Sequence, residues 1–328
     1  MRNAFIRSLT ELARRDPRIF LLVGDLGYSV VEPFRDEFPE HFVNVGVAEQ
    51  NMTGLAAGLA LSGKIVFTYS IANFPTLRCL EQIRNDVCYH RANVKIVAIG
   101  GGVGYGALGV THHGTEDVAV LRALPEMTVL SPADPVETAL ATRAVVDWPG
   151  PCYLRLGKAG EPPIHREPPE FQIGKLIELR RGRDLVILAT GAVARNALLA
   201  AEKLGEAGIA AGVYSVHTIK PLDERFLREL ARQTPLLFTV EEHSAIGGLG
   251  SAVAEVLAEM GGTRSTLKRL ALPDSFLPVG SQEFLLSKHL SVESLLARVS
   301  EGLALKTQGE IPVGRVEKRG ITEAALNQ

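Results

Sequence analysis

Cysteine is scarce in this chain. Cys79, Cys88 and Cys152 form no CxxC or other metal-ligand spacing and cannot all pair, which argues against a disulfide scaffold or a thiolate metal site and predicts a reducing compartment, the cytoplasm. An excess of either charge is also lacking. With 35 Lys and Arg against 37 Asp and Glu, the net charge is −2, so there is no electrostatic case for nucleic acid or an anionic membrane as a partner. No apolar run is long enough to span a bilayer, and the start, MRNAFIRSLTELARRDPRIFLLVGDLG, has no long apolar segment followed by a small-residue cleavage site. These absences predict a soluble protein that is not exported.

What is present is an ordinary globular mixture, 46% hydrophobic and 22% charged over 328 residues, which excludes disorder or a fibrous repeat and leaves room for two domains. Phe5, Ile6, Leu9, Leu12 and Ala13 recur at helical spacing, and IFLLVGD then reads as a buried strand ending in a Gly-Asp turn. The alternation continues with strands KIVFTYS, VKIVAIG, MTVLSPAD and CYLRLG, separated by helices over 76–89, 117–124 and 135–146. After AGEPPIHREPPE it resumes: strands DLVILAT, AAGVYSV, LLFTVEE and LKRLAL, with helices over 193–207, 224–233 and 250–260. Apolar runs without polar alternation, separated by amphipathic helices, predict parallel sheets covered on both faces. The fold class is therefore α/β, with two domains that each carry a mainly parallel sheet flanked by helices. The expected boundaries are 1–160, a proline-rich linker at 161–170, 171–305, and a polar, flexible tail over 306–328.

One acid stands out. Glu49 opens an otherwise apolar, small-residue stretch, VGVAEQNMTGLAAGLALSG, that reads as a strand end, a turn and a helix. Taken alone, a carboxylate there has a simple explanation in the positive end of the helix. The whole stretch, however, resembles the signature of the pyrimidine-binding domain of transketolase-type thiamine diphosphate enzymes. LRCLEQIRND is similar to the arginine–acid–Gln–Ile pattern of that domain, and GVTHHGTEDVAVLRALPEMTVLSPADPVE to its Thr-His loop, helix and following strand. VHTIKPLDE and VEEHSAIGGLGSAVAEVL resemble the family's carboxy-terminal domain, so the likeness covers nearly all of residues 1–300 in the family's order.

The resemblance implies roles residue by residue. Glu49 would hydrogen-bond the cofactor's pyrimidine ring nitrogen and promote removal of the C2 proton. Phe74, with Tyr69 in reserve, would lie flat against the aminopyrimidine, against the alternative of a core aromatic. Asp25 and Leu26 would stand near the thiazolium, although an Asp at such a turn is often only a turn former. His112 would face C2 and the substrate hydroxyls, with His113 beside it, where a solvated His pair is the plain alternative. Arg155, with Lys158, would bind substrate phosphate, against the alternative of surface cations.

The same resemblance shows what is missing. The family's pyrophosphate-binding domain, with the Gly-Asp-Gly and downstream Asn that hold magnesium and diphosphate, has no counterpart; Gly24-Asp25-Leu26 with Asn51 is rejected because Leu26 replaces a glycine and Asn51 falls inside the other signature. The chain thus looks like the carboxy-terminal half of a transketolase made as a separate subunit. It would need a partner carrying the pyrophosphate-binding domain and the magnesium ligands, and would homodimerise into a heterotetramer acting on sugars or sugar phosphates. Leu108 and Gly100 stand where the family carries an acceptor-reading aspartate and a second histidine, so acceptor choice is expected to differ. Three other readings stand beside this one: the beta chain of a 2-oxo acid dehydrogenase decarboxylating component, a deoxyxylulose-phosphate synthase-like half, and a non-catalytic scaffold or regulatory chain. Gly104-x-Gly106-x-x-Gly109 is formally a dinucleotide fingerprint, but it leads into Thr-His-His instead of directly into a helix.

Overall fold

The computed structural model describes residues 1–263 and 265–307. In the first half, α1 (Arg2–Ala13), β1 (Ile19–Val23), α2 (Glu32–Glu37) and β2 (Phe42–Asn44) precede α3 (Glu49–Leu61) and β3 (Ile65–Ile71). A short α4 (Leu80–Gln82) then leads to β4 (Val94–Ile99), α5 (Asp117–Arg122), β5 (Thr128–Leu130), α6 (Pro135–Asp147) and β6 (Cys152–Leu156). Period-two alternation explains why these strands are apolar throughout. Leu21, Phe67, Val97 and Leu154 enter one core, while their neighbours Leu22, Val66, Ile96 and Tyr153 enter the other, on the opposite face.

The second half contains β7 (Ile177–Arg180), β8 (Leu185–Thr190), α7 (Ala194–Glu206), β9 (Ala211–Ser215), β10 (Thr218–Lys220), α8 (Glu224–Gln233), β11 (Leu236–Ser244), α9 (Leu249–Glu259), β12 (Thr266–Leu272), α10 (Gln282–Ser287) and α11 (Val292–Thr307). Among the described residues the strands form two sheets. The first has the order β10-β5-β6-β4-β3-β1-β2 and the second β12-β11-β8-β9-β7. All pairings are parallel except β10 on β5 and β7 on β9. The α/β class with two mainly parallel, helix-flanked sheets is as expected.

Three details differ from the sequence reading. The helix expected over 76–89 tightens at Leu77–Cys79 and widens into a π-turn over Ile83–Cys88, where Ile83, Val87 and Cys88 all face the core. β10 belongs by position to the second half but pairs antiparallel with β5 of the first, through Thr218 opposite Leu130. The expected tail from 306 begins inside α11, and 308–328 lie outside the described residues. The proline-rich segment has no regular structure, yet it is tied down: Asp134, which caps α6 by accepting from Glu137 N, also accepts from Ile164 N at 2.8 Å, and His165 Nε2 lies 2.8 Å from Glu137 Oε1. Among the described residues, no helix is long and apolar enough to cross a membrane.

Candidate active site

The first sheet's strands deliver most of the candidate residues to one edge. Asp25 and Leu26 follow β1, Glu49 follows β2, Phe74 follows β3, His112 and His113 follow β4, and Lys158 follows β6. Ligands of parallel α/β sheets are bound at this carboxyl end, because the loops there are free of the packing that fills the strands.

Glu49 is the first residue of α3, and its side chain is only 1% exposed. Gly24 abuts it so closely that an added Cβ would lie 3.2 Å from Oε1. Ser70 Oγ donates to Oε1 at 3.3 Å, and Arg78 Nη1 donates to Oε2 at 2.7 Å. The Arg78 guanidinium lies 4.4 Å from the centre of the Phe74 ring, and that ring meets His112 edge-on at 5.1 Å. Beyond His112 stands Tyr105, with ring centres 6.4 Å apart, and the Lys158 ammonium lies 4.6 Å above the Tyr105 ring. Glu49, Arg78, Phe74, His112, Tyr105 and Lys158 therefore form one continuous row from a buried carboxyl to an exposed cation.

The His112 imidazole is held below its ordinary pKa by partial burial, with His113 and Arg78 adding positive charge nearby, and its Nδ1 lies 3.0 Å from Thr111 Oγ1. A neutral ring at neutral pH follows. His113 is 3% exposed, with Nε2 buried and without a hydrogen-bond partner. Asp25 has a positive φ of 54°, which Asp tolerates better than most residues, and its carboxylate accepts from Asn44 Nδ2 and Tyr28 Oη. Leu26 packs against the core beside it.

Residues 1–161 match the transketolase pyrimidine-binding domain, and residues 174–293 match the transketolase C-terminal domain. The chain belongs to the transketolase family. Over 305 residues it is 42% identical to a putative transketolase C-terminal section of Methanocaldococcus jannaschii, covering 92% of this chain and 95% of that one. Over 260 residues it is 44% identical to one of the subunits of an apulose-4-phosphate transketolase of Phocaeicola vulgatus, covering 79% and 83%. A split-gene transketolase solved as an inactive β4 tetramer superposes with a TM-score of 0.84 at 40% identity, covering 93% of this chain and 98% of that one.

Within this transketolase fold, two expected site residues are not at the edge. Tyr69 lies inside β3, 1% exposed and stacked on Phe5 at 6.0 Å, so its ring has no free face for a cofactor. Arg155 lies inside β6 and is 6% exposed. Its Nε donates to Asp117 Oδ2 at 2.8 Å, and its Nη2 donates to the carbonyls of Gly114 and Glu242. Through Nε and Nη2 that arginine fastens the two halves together, while Nη1 makes none of these bonds. The glycine-rich loop is likewise structural: a side chain at Gly102 (φ +71°) would collide with the Glu242 carboxylate, which accepts from Val103 N at 2.7 Å. Sequence reasoning gives no role to Arg78 or Tyr105. The signal for Arg78 is its position four residues after Phe74, across the turn that leads into Leu77–Cys79.

Proposed function

We propose that this chain is the cofactor-activating subunit of a split, thiamine diphosphate-dependent transketolase, working in the cytoplasm. It would move a two-carbon ketol unit from a ketose or ketose phosphate to an aldose. The observation that carries this reading is the Glu49–Arg78–Phe74–His112 row. A buried carboxyl and a flat aromatic ring are bridged there by a planar, nitrogen-bearing group, the arrangement an aminopyrimidine requires.

The residues fit the pyrimidine half of the cofactor. Glu49 would bind the ring nitrogen, Phe74 would cover the ring, and Asp25 and Leu26 would border the neighbouring thiazolium. When bound, thiamine diphosphate supplies the nucleophilic carbon that attacks the ketose carbonyl. The chain's own contribution is to hold the ring and handle protons. Glu49 holds a proton at the pyrimidine nitrogen, and His112, neutral and beside Phe74, moves protons at sugar oxygens. Lys158, exposed at the end of the row, would meet a substrate phosphate, with Nη1 of Arg155 as the second cationic donor and His113 lining the wall behind His112.

Magnesium and diphosphate ligands are assigned to a partner subunit with the pyrophosphate-binding domain, two copies of each chain forming a heterotetramer. The relatives named as a transketolase section and a transketolase subunit support the split reading. The acceptor site is more apolar than the family pattern: Leu108 is 56% exposed on the loop that carries His112, and a side chain at Gly100 would run into the Tyr105 ring.

Glu49→Gln tests the reading directly. In the complex with its partner, thiamine diphosphate and magnesium, the variant should assemble normally but exchange the C2 proton for deuterium far more slowly. Exchange at the wild-type rate would remove Glu49 from the mechanism. Ketol transfer by the purified chain without a partner would remove the split arrangement.

A further inference from the structure

Glu49 and Phe74, the two groups assigned above to the pyrimidine ring, are both engaged by one side chain of the same chain. Arg78 sits in the tight turn Leu77–Cys79, and its side chain folds back so that Nη1 reaches Glu49 at 2.7 Å while Cζ lies 4.4 Å from the Phe74 ring centre. A guanidinium is planar and conjugated, stacks on aromatic faces, and carries its donors at the edge. Stacked on Phe74 and hydrogen-bonded at its rim to Glu49, it has the shape and contacts of the ring that those residues are read as binding. Carbon atoms in contact lie about 3.5–4 Å apart, so a guanidinium 4.4 Å from the Phe74 ring centre covers the face on which another flat group would have to lie.

We propose that Arg78 is a displaceable occupant of the pyrimidine site, which closes the site in the free protein and must leave before the cofactor can enter. The exit is short. The Arg78 side chain is 43% exposed, whereas Glu49 is 1% exposed, so rotation about the arginine's side-chain bonds carries the guanidinium to solvent without disturbing the core. The closed state is also chemically idle, because Glu49 Oε2, engaged by Arg78, is not free to meet a ring nitrogen. Loss of the guanidinium removes one of the positive charges that hold down the His112 pKa, so opening the site reaches the neighbouring imidazole as well. The inference rests on the reading of Glu49 and Phe74 given above and adds a competition between a residue of this chain and the cofactor.

The test is calorimetric titration of thiamine diphosphate, with magnesium, into the complex of this chain and its partner, comparing wild type with Arg78→Ala and Arg78→Lys. Ala removes the occupant. Lys keeps the charge but lacks the flat fork, and covers the case in which Ala fails to fold. Either folded variant should bind the cofactor at least about tenfold more tightly than wild type. Unchanged or weaker binding in the folded variants would overturn the inference, since Arg78 would then be a bystander or would itself hold the cofactor; the reading of Glu49 would stand. Absence of binding in wild type and variants alike would remove both.

Discussion

Nε of Arg155 donates to Oδ2 of Asp117 across 2.8 Å, with Tyr153 donating to the same oxygen and Arg155 also reaching the Glu242 carbonyl of the other half. Burial works against both charges. In Asp117 it is outweighed by Arg155, His243 and the two hydrogen bonds, so the carboxyl is held below its usual range. Removing one member leaves the other buried and unpaired, at a cost of about 3–5 kcal/mol. Arg155→Met should therefore lower the unfolding free energy in urea by that amount. A variant with wild-type stability and a raised KM for phosphorylated sugars alone would make substrate binding, and not the joining of the halves, the main role of Arg155.

Acid should weaken the fold through His217. This residue stacks on Phe171 at 4.0 Å, and burial, with His165 adding charge nearby, pushes its pKa from 6.5 to about 3. The folded-state value is depressed because the neutral form is favoured, so its contribution is complete above the unfolded value and is lost as pH falls. The slope is about 1.4 kcal/mol per pH unit below about pH 6.5. His165 runs the other way. Burial opposes its charge, Glu137 more than compensates, and the raised pKa gives stability that is complete below 6.5 and declines as pH rises through the folded value. Urea unfolding at about pH 6.5 and 5.5 should show this acid-side loss in wild type and a shallower one in His217→Gln; equal slopes would contradict the assignment.

His112→Ala should separate the two halves of the chemistry. If the imidazole moves protons at sugar oxygens, C2 exchange persists while kcat/KM for ketol transfer falls by about 10²–10⁴. Parallel loss of both would place His112 at the cofactor instead.

Lys158→Met should weaken use of phosphorylated acceptors about tenfold and leave unphosphorylated ones nearly unchanged, as steady-state kinetics on a matched pair of aldoses would reveal. An equal effect on both would leave the phosphate without this cation.

Leu108→Asp should increase discrimination between glycolaldehyde and acetaldehyde, because a carboxylate can accept from the α-hydroxyl and leucine cannot. An unaltered ratio of kcat/KM values would mean that position 108 does not touch the acceptor.

The strands and most helices were legible because burial on both faces of a parallel sheet demands apolar residues at every position, as in IFLLV and LVILAT. β10, only Thr-Ile-Lys, carries no such signature; partner strand and edge position create it, and neither is local. At the site, motif matching picked out loops but could not give side-chain directions. Residues beyond strand ends, such as Glu49, Phe74 and His112, reached the edge together. Tyr69 and Arg155, quoted in the same motifs, sit within strands, where neighbouring strands and helices claim them. Arg78 went unassigned because the reason for its position is the pair of residues it touches, which are 29 and 4 positions away in the chain.

The loan of β10 to the first sheet bears on how such a protein can be divided. A cut through 161–170 looks harmless in the sequence, yet it would strip β5 of its antiparallel neighbour and expose an unpaired edge ready to recruit a strand from another molecule. The first domain made alone should be prone to clumping, and adding the 218–220 strand in trans would supply only three residues of pairing. A workable genetic break must therefore avoid this internal seam, so the two domains are best inherited as one piece.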